Sequence, residues 1–249
     1  MLYPLKFKPI YKEKIWGGKK LSAFLNKKGI TSDKCGESWE ISAIDKNISV
    51  VSNGFLKKNN LLELIEVYMG DLVGDKIFDI YGINFPLLIK FIDAKDKLSL
   101  QVHPDDYLAE KRHNSFGKTE MWYVLDADPG SEIITGFNRE LTKDEYNSYY
   151  NSGKITEILN YEKAEANNAF FIPAGRIHAI GSNILIAEIQ QSSDITYRIH
   201  DWNRKDSNGK PRKLNTELAI DAIDYRLYKN YRTEYKKTNN LSNLITSNK

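Results

Sequence analysis

Apolar and polar residues change places every second position through much of this chain. Ser38-Trp39-Glu40-Ile41-Ser42-Ala43-Ile44 is one such run, and Ile48–Val51, Ser131–Thr135, Ile184–Gln190 and Ile195–His200 are also strand-like. Side chains two apart in an extended segment share a face, so these runs predict strands. Gly117 leads into the aromatic and β-branched stretch ending at Leu125, and Asn168–Ile172 runs into Pro173-Ala174-Gly175. Leu87–Ile92 is almost continuously apolar and reads as a buried strand, with Lys90 inside it. A lysine there is costly unless its head group reaches water or an anion, and snorkelling to solvent is the ordinary outcome. Glu37 and Glu40 read as solvated strand residues.

Helical periodicity is rarer. Asn60-Leu61-Leu62-Glu63 and Thr142-Lys143-Asp144-Glu145 have the pattern of a capping box. They predict helices over Leu61–Met69, ending at Gly70, and from Thr142 to about Tyr150. Shorter helices are expected over Asp105–His113, Ile155–Leu159 and Asn215–Ile223. Trp16-Gly17-Gly18 suggests a tight turn with an aromatic ring packed on it. There is no internal repeat. Short strands, Gly/Pro turns and a few helices predict a mainly β fold, a β-barrel or jelly roll with helical insertions. Regular helices do not separate the strands, so a parallel α/β sheet is not expected. From about Thr233 the chain is polar and rich in Asn and Lys, the composition of a disordered tail.

The 249 residues suit one large domain or two small ones, and a 41% hydrophobic, 28% charged composition is that of an ordinary globular protein. The net charge of +3 is spread along the chain, so nucleic acid is not the default partner; a small anion fits it weakly. A single cysteine, Cys35, excludes an intrachain disulfide and a thiolate zinc cluster. It points to a reducing, cytoplasmic setting, and reads as a small buried residue rather than a nucleophile. The N-terminus lacks the apolar core of a signal peptide, and no apolar run approaches a membrane span.

The chemistry gathers around Leu98-Ser99-Leu100-Gln101-Val102-His103-Pro104-Asp105-Asp106. In a strand, Gln101 and His103 share a face while Leu100 and Val102 point the other way. An amide oxygen beside an imidazole is half of a metal site, or merely two polar residues facing solvent. Glu120 begins the strand after Gly117, with Lys118 on its face, and His178 follows the turn at Pro173. A barrel can bring Gln101, His103, Glu120 and His178 together. Two histidines with oxygen ligands suit zinc, though other divalent ions accept the same set.

Four segments in this order carry a resemblance: Leu98–Asp106; Gly117-Lys118-Thr119-Glu120-Met121-Trp122-Tyr123; Ile172–Gly181; and Glu188–Arg198. They resemble the type I mannose-6-phosphate isomerases of the cupin superfamily, in their short bacterial form. The resemblance implies a cupin jelly-roll barrel and one zinc ion held by Gln101, His103, Glu120 and His178. It places an essential arginine at Arg198, catalytic candidates at Lys118 and Glu188, and sugar-phosphate contacts at Lys90, Ser99, Asp194 and Arg204. The implied activity is aldose–ketose isomerisation of mannose 6-phosphate and fructose 6-phosphate through an enediolate, in mannose metabolism and GDP-mannose precursor supply. A different metal-dependent cupin enzyme and a non-catalytic sugar-phosphate binder remain the alternatives. The likeness runs from Trp16-Gly17-Gly18 to about Tyr225 and implies a catalytic domain, with helical insertions, over residues 1–232. The family's usual smaller C-terminal β domain is expected to be missing, with a polar tail over 233–249 in its place.

Overall fold

The computed structural model describes residues 2–205 and 209–235. Eleven strands form two antiparallel sheets. The strands are β1 (Ile10–Gly18), β2 (Cys35–Ile41), β3 (Leu87–Ala94), β4 (Leu100–Val102), β5 (Glu120–Ala127), β6 (Glu132–Phe137), β7 (Leu159–Lys163), β8 (Ala169–Ile172), β9 (His178–Ile180), β10 (Ile184–Gln191) and β11 (Tyr197–His200). One sheet has the order β1-β2-β3-β10-β5-β8 and the other β11-β4-β9-β6-β7. Neighbours in each sheet are mostly not neighbours in sequence, as in a jelly roll. The mainly β, two-sheet expectation holds.

The sheets close on one another over an apolar core. Ile92, Trp122, Phe170 and Ile186 from the larger sheet pack with Ile133 and Ile180 from the smaller. A second apolar layer lies on the smaller sheet's outer face. Leu100, Val102, Tyr197 and Ile199 point outward there and are covered by Tyr146, Ile155 and Ala219. Those residues belong to the helical segments Lys143–Asn151, Ile155–Ile158 and Thr216–Ala222. Because strand side chains alternate, the same packing turns Gln101 and Arg198 inward. The helices therefore decide which face of β4 and β11 looks into the barrel.

Both capping boxes form. Asn60 accepts from Glu63 N and Thr142 from Glu145 N, opening helices Leu61–Tyr68 and Lys143–Asn151. The first helix stops at Met69, whose φ of +44° breaks the repeat, and the short helices Gly70–Val73 and Asp75–Tyr81 follow. Three expectations need correction. Trp16-Gly17-Gly18 is the end of β1 rather than a turn; a Cβ on Gly17 would come within 2.4 Å of Lys34 O, so close chain approach requires that glycine. Ile48–Val51 makes only isolated bridges, Val50 with Asn60 and Val51 with Phe7. Strands β7 and β9 carry no alternation that the sequence reveals. Of the expected tail, Thr233 bridges to Ala169 and Tyr235 donates to Asn167 O, so both lie on the barrel. Residues 236–249 lie outside the described residues. No helix among the described residues is long and apolar enough to cross a membrane.

Candidate active site

Two rows of side chains face each other across the barrel. In an antiparallel ladder directly opposed residues point to the same face. On the smaller sheet, Arg198 opposes Gln101, Gln101 opposes His178, and His178 opposes Thr135. On the larger sheet, Trp39 opposes Lys90, Lys90 opposes Glu188, and Glu188 opposes Trp122. Glu120 lies on the same face as Trp122, at the start of β5. Between the rows is a polar cavity, about 580 Å³ of space counted out into open solvent.

His103, Glu120 and His178 meet at its inner end. Each offers one donor atom within 4.8 Å of the others. His103 Nε2 is 3.2 Å from Glu120 Oε1, and His178 Nε2 is 3.8 Å from Glu120 Oε2. The first contact misses hydrogen-bond geometry and the second is too long for a hydrogen bond, so both Nε2 atoms are buried without a hydrogen-bond partner. His178 Nδ1 sits 2.8 Å from Arg176 O; donating there fixes the tautomer and leaves Nε2 with its lone pair. Donors on a tetrahedral zinc lie roughly 3.4 Å apart for bonds of about 2.1 Å. Orphaned imidazole nitrogens at such spacings fit a metal ion better than a hydrogen-bonded network. Gln101, beside His178 in the ladder, also lines the cavity.

Burial and charge set the protonation states. Burial and the Lys118 ammonium push His103 down to about 3, and burial pushes His178 down as well, so both imidazoles are neutral near pH 7. Burial works to raise the Glu120 carboxyl, but the Lys118 ammonium beside it holds it well below the usual carboxylate range. Glu188 goes the other way: burial and then the Glu120 charge raise it, against the pull of Lys90 and Lys118. Burial disfavours the Lys90 ammonium, yet Glu188 and Glu37 keep it charged.

Trp122, fully buried, ties the carboxylates together. Its indole N–H points between Glu188 Oε2 at 2.7 Å and Glu120 Oε2 at 3.1 Å. Lys90 Nζ lies 2.8 Å from Glu188 Oε1, and Lys118 Nζ 3.3 Å from Glu120 Oε1. Lys90 is therefore not snorkelling; its strand is covered on both sides and an internal carboxylate holds its charge. Glu37 is not solvated either. It is buried, lines the cavity, accepts from Trp39 Nε1 at 2.7 Å and pairs with Lys14 at 3.1 Å. Burial favours its neutral form, but Lys90 and Lys14 overcome that and hold it ionised. Glu40 is only half-buried and pairs with Lys27 at 2.7 Å.

The structure brings Gln101, Glu120, Lys118, Glu188, Lys90, Ser99 and Arg198 to the cavity wall, with His103 and His178 joining Glu120 behind it. Two expected contacts lie elsewhere. Asp194 is exposed and lines a separate cavity with Ala43, Asn84 and Phe116, because the turn after β10 swings it away. Arg204 does not line the cavity; its fork is spent on Asp201 and the carbonyl of Lys97. Arg212, Thr196, Lys14 and Glu37 line it unexpectedly. Only Glu37 had a signal: alternation puts it on the same strand face as Trp39, the same oddity that marked Lys90.

The sequence pattern described as phosphomannose isomerase type I, catalytic domain, matches residues 4–140. The chain belongs to the type I phosphomannose isomerases. It is 42% identical over 227 residues to mannose-6-phosphate isomerase ManA of Bacillus subtilis (strain 168), a match covering 89% of this chain and 68% of that protein. The crystal structure of the mannose 6-phosphate isomerase from Bacillus subtilis superposes with a TM-score of 0.87 at 36% identity, over 97% of this chain and 75% of that one. A zinc-bound mannose 6-phosphate isomerase shares the fold, with a TM-score of 0.72 at 16% identity over 94% of this chain and 78% of that one. Within this family the two-sheet barrel is a cupin.

Proposed function

We propose that this chain is a zinc-dependent isomerase that interconverts mannose 6-phosphate and fructose 6-phosphate. One observation carries the reading: neutral His103, neutral His178 and ionised Glu120 converge beside a cavity walled by Lys118, Glu188 and Arg198. These three residues, with Gln101, would hold the ion. Bound there, zinc supplies Lewis-acid polarisation of substrate oxygens.

The remaining work falls to the chain's own residues. Isomerisation moves a proton from C2 of the aldose to C1, by way of an enediolate, and shifts a hydroxyl proton between the two oxygens. Glu188 is the better-placed base of the two candidates. Burial and a neighbouring carboxylate raise its proton affinity, the tuning a general base needs. Lys118, paired with Glu120, contributes positive charge beside the oxygens. Arg198, always charged, stabilises the negative charge that develops as C2 is deprotonated. Lys90 and Trp122 hold Glu188 from two sides, so its carboxylate need not reorganise during the reaction. The buried thiol of Cys35 suits a reducing, cytoplasmic setting.

The test is an isomerase assay on fully chelated protein, followed by zinc add-back. Turnover that vanishes on chelation and returns with zinc is the expected result. Full turnover without metal overturns the zinc role, and sugar-phosphate binding without any turnover overturns the isomerase.

A further inference from the structure

The turn Pro173-Ala174-Gly175-Arg176, between β8 and β9, touches all three segments that carry the histidines and the glutamate of the metal centre. Gly175 N donates to His103 O at 2.9 Å. Ala174 N donates to Thr119 Oγ1 at 3.2 Å, on the residue just before Glu120. Arg176 O accepts from His178 Nδ1 at 2.8 Å. His103, Glu120 and His178 are remote from one another in sequence, and this one bracket joins them.

Residues 224–235 grip the bracket from outside. Asp224 N donates to Gly175 O at 2.8 Å, and Asp224 Oδ2 accepts from Tyr228 OH at 2.5 Å. The rings of Tyr228 and Tyr231 lie 5.9 Å apart, and the Arg176 guanidinium sits 4.5 Å from the first and 5.2 Å from the second. Both distances are within cation–π range. Arg176 is buried, and its Nη1 donates to Phe171 O at 2.9 Å, which ties it back to β8. Tyr231 is anchored in turn: its hydroxyl donates to Phe137 O at 2.8 Å and accepts from Phe137 N at 3.2 Å. Further on, Thr233 N donates to Ala169 O at 2.8 Å, and Thr233 Oγ1 accepts from Phe171 N at 3.0 Å. Arg176 does not line the cavity, so its buried charge is not there to meet substrate.

We propose that Arg176 is a positioning residue for the metal centre: held by Tyr228 and Tyr231, it fixes the carbonyl that orients His178 and the turn that spaces the three ligands. The proposal rests on the metal-centre reading above. A histidine ligand is aimed by the partner of its other ring nitrogen. Here that partner is the carbonyl of Arg176 itself, so a shift of the Arg176 backbone turns the imidazole with it. The same shift moves Gly175 against His103. Without the guanidinium, the two tyrosines lose their cation and Phe171 O loses that donor. The hold of residues 224–231 on the turn then falls to the hydrogen bond from Asp224 N.

The test measures zinc affinity in the full chain, by competition with a chromogenic chelator, for wild type, Arg176→Met, Arg176→Lys and Tyr228→Leu. Each is read at a temperature where circular dichroism shows it folded, so that lost stability alone does not move the constant. Arg176→Met is expected to raise the zinc dissociation constant about 10–100-fold. Arg176→Lys keeps a cation beside the rings and should recover part of that loss. Tyr228→Leu leaves Arg176 in place and should raise the constant in the same direction. Added to Arg176→Met, it should raise the constant little further, since both act through one contact. Should Arg176→Met fail to fold, Arg176→Lys and Tyr228→Leu are read by the same constant. An unchanged dissociation constant in the folded variants overturns the proposal, and fully additive losses in the double variant overturn the hold by Tyr228. The readings fail separately. A wild type that binds no zinc sinks the metal centre and the positioning role with it. One that binds zinc with the expected dependence on Arg176 yet never isomerises sinks the isomerase and keeps the positioning role. One that isomerises with a zinc affinity indifferent to Arg176 keeps the isomerase and sinks the positioning role.

Discussion

Lys90 Nζ and Glu188 Oε1 lie 2.8 Å apart on directly paired residues of β3 and β10, both almost wholly enclosed. Removing one member of a buried pair strands the other charge, at about 3–5 kcal/mol. Lys90→Met should lower the urea unfolding free energy of the metal-free protein by about that much. The double variant Lys90→Met, Glu188→Met should recover most of the loss. A single-variant loss under about 1 kcal/mol would mean that water reaches Glu188.

The single N–H of Trp122 serves two carboxylates with different tasks. Trp122→Phe keeps an aromatic ring and deletes that donor, at about 1–3 kcal/mol for a buried bond to charge. Turnover should fall about 10-fold or more, since 1.36 kcal/mol in the barrier is tenfold in rate. Steady-state kinetics at saturating fructose 6-phosphate checks it, and unchanged kcat would show that Glu188 is held without the indole.

Arg198 should matter to the chemical step rather than to folding. Arg198→Ala is expected to cost about 100-fold or more in kcat, with a thermal midpoint within a few degrees of wild type. Wild-type turnover in this variant would remove it from the mechanism.

The buried histidines make the metal-free protein acid-sensitive. His103 has an ordinary value of 6.5 when unfolded and about 3 when folded, so the unfolded chain binds more protons between those limits. Stability must then rise with pH across that window, and fall as pH drops from about 6.5 toward 3. His178 is shifted in the same direction and steepens the slope. Denaturant midpoints of the chelated protein at several pH values test this. His103→Asn should flatten the curve, and an equal slope in that variant would contradict the buried neutral imidazole.

Much of the fold and part of the site could be read from the sequence because they rest on local rules. The capping boxes at Asn60 and Thr142 form as their side chains dictate, and alternation correctly turned Leu100 and Val102 away from Gln101. The lysine at position 90 stood out because an apolar strand has no cheap place for it. What escaped depends on distant partners. Glu37 looks like a surface residue until Lys14 from β1 and Trp39 enclose it. Arg204 and Arg212 are chemically alike in sequence and both pair with Asp201, and only the path of the folded chain decides that Arg212 also lines the cavity. Strand β9 is three residues long, too short to show a period.

The ladder Arg198–Gln101–His178 joins chain segments that are remote from one another, through a strand of three residues. Sliding that strand by a single residue would offer Leu100 or Val102 where Gln101 belongs. Such distant pairings carry a loop-closure cost before any contact repays it. Gln101 and His178 would thus face a shared ion only when β4 and β9 pair in register.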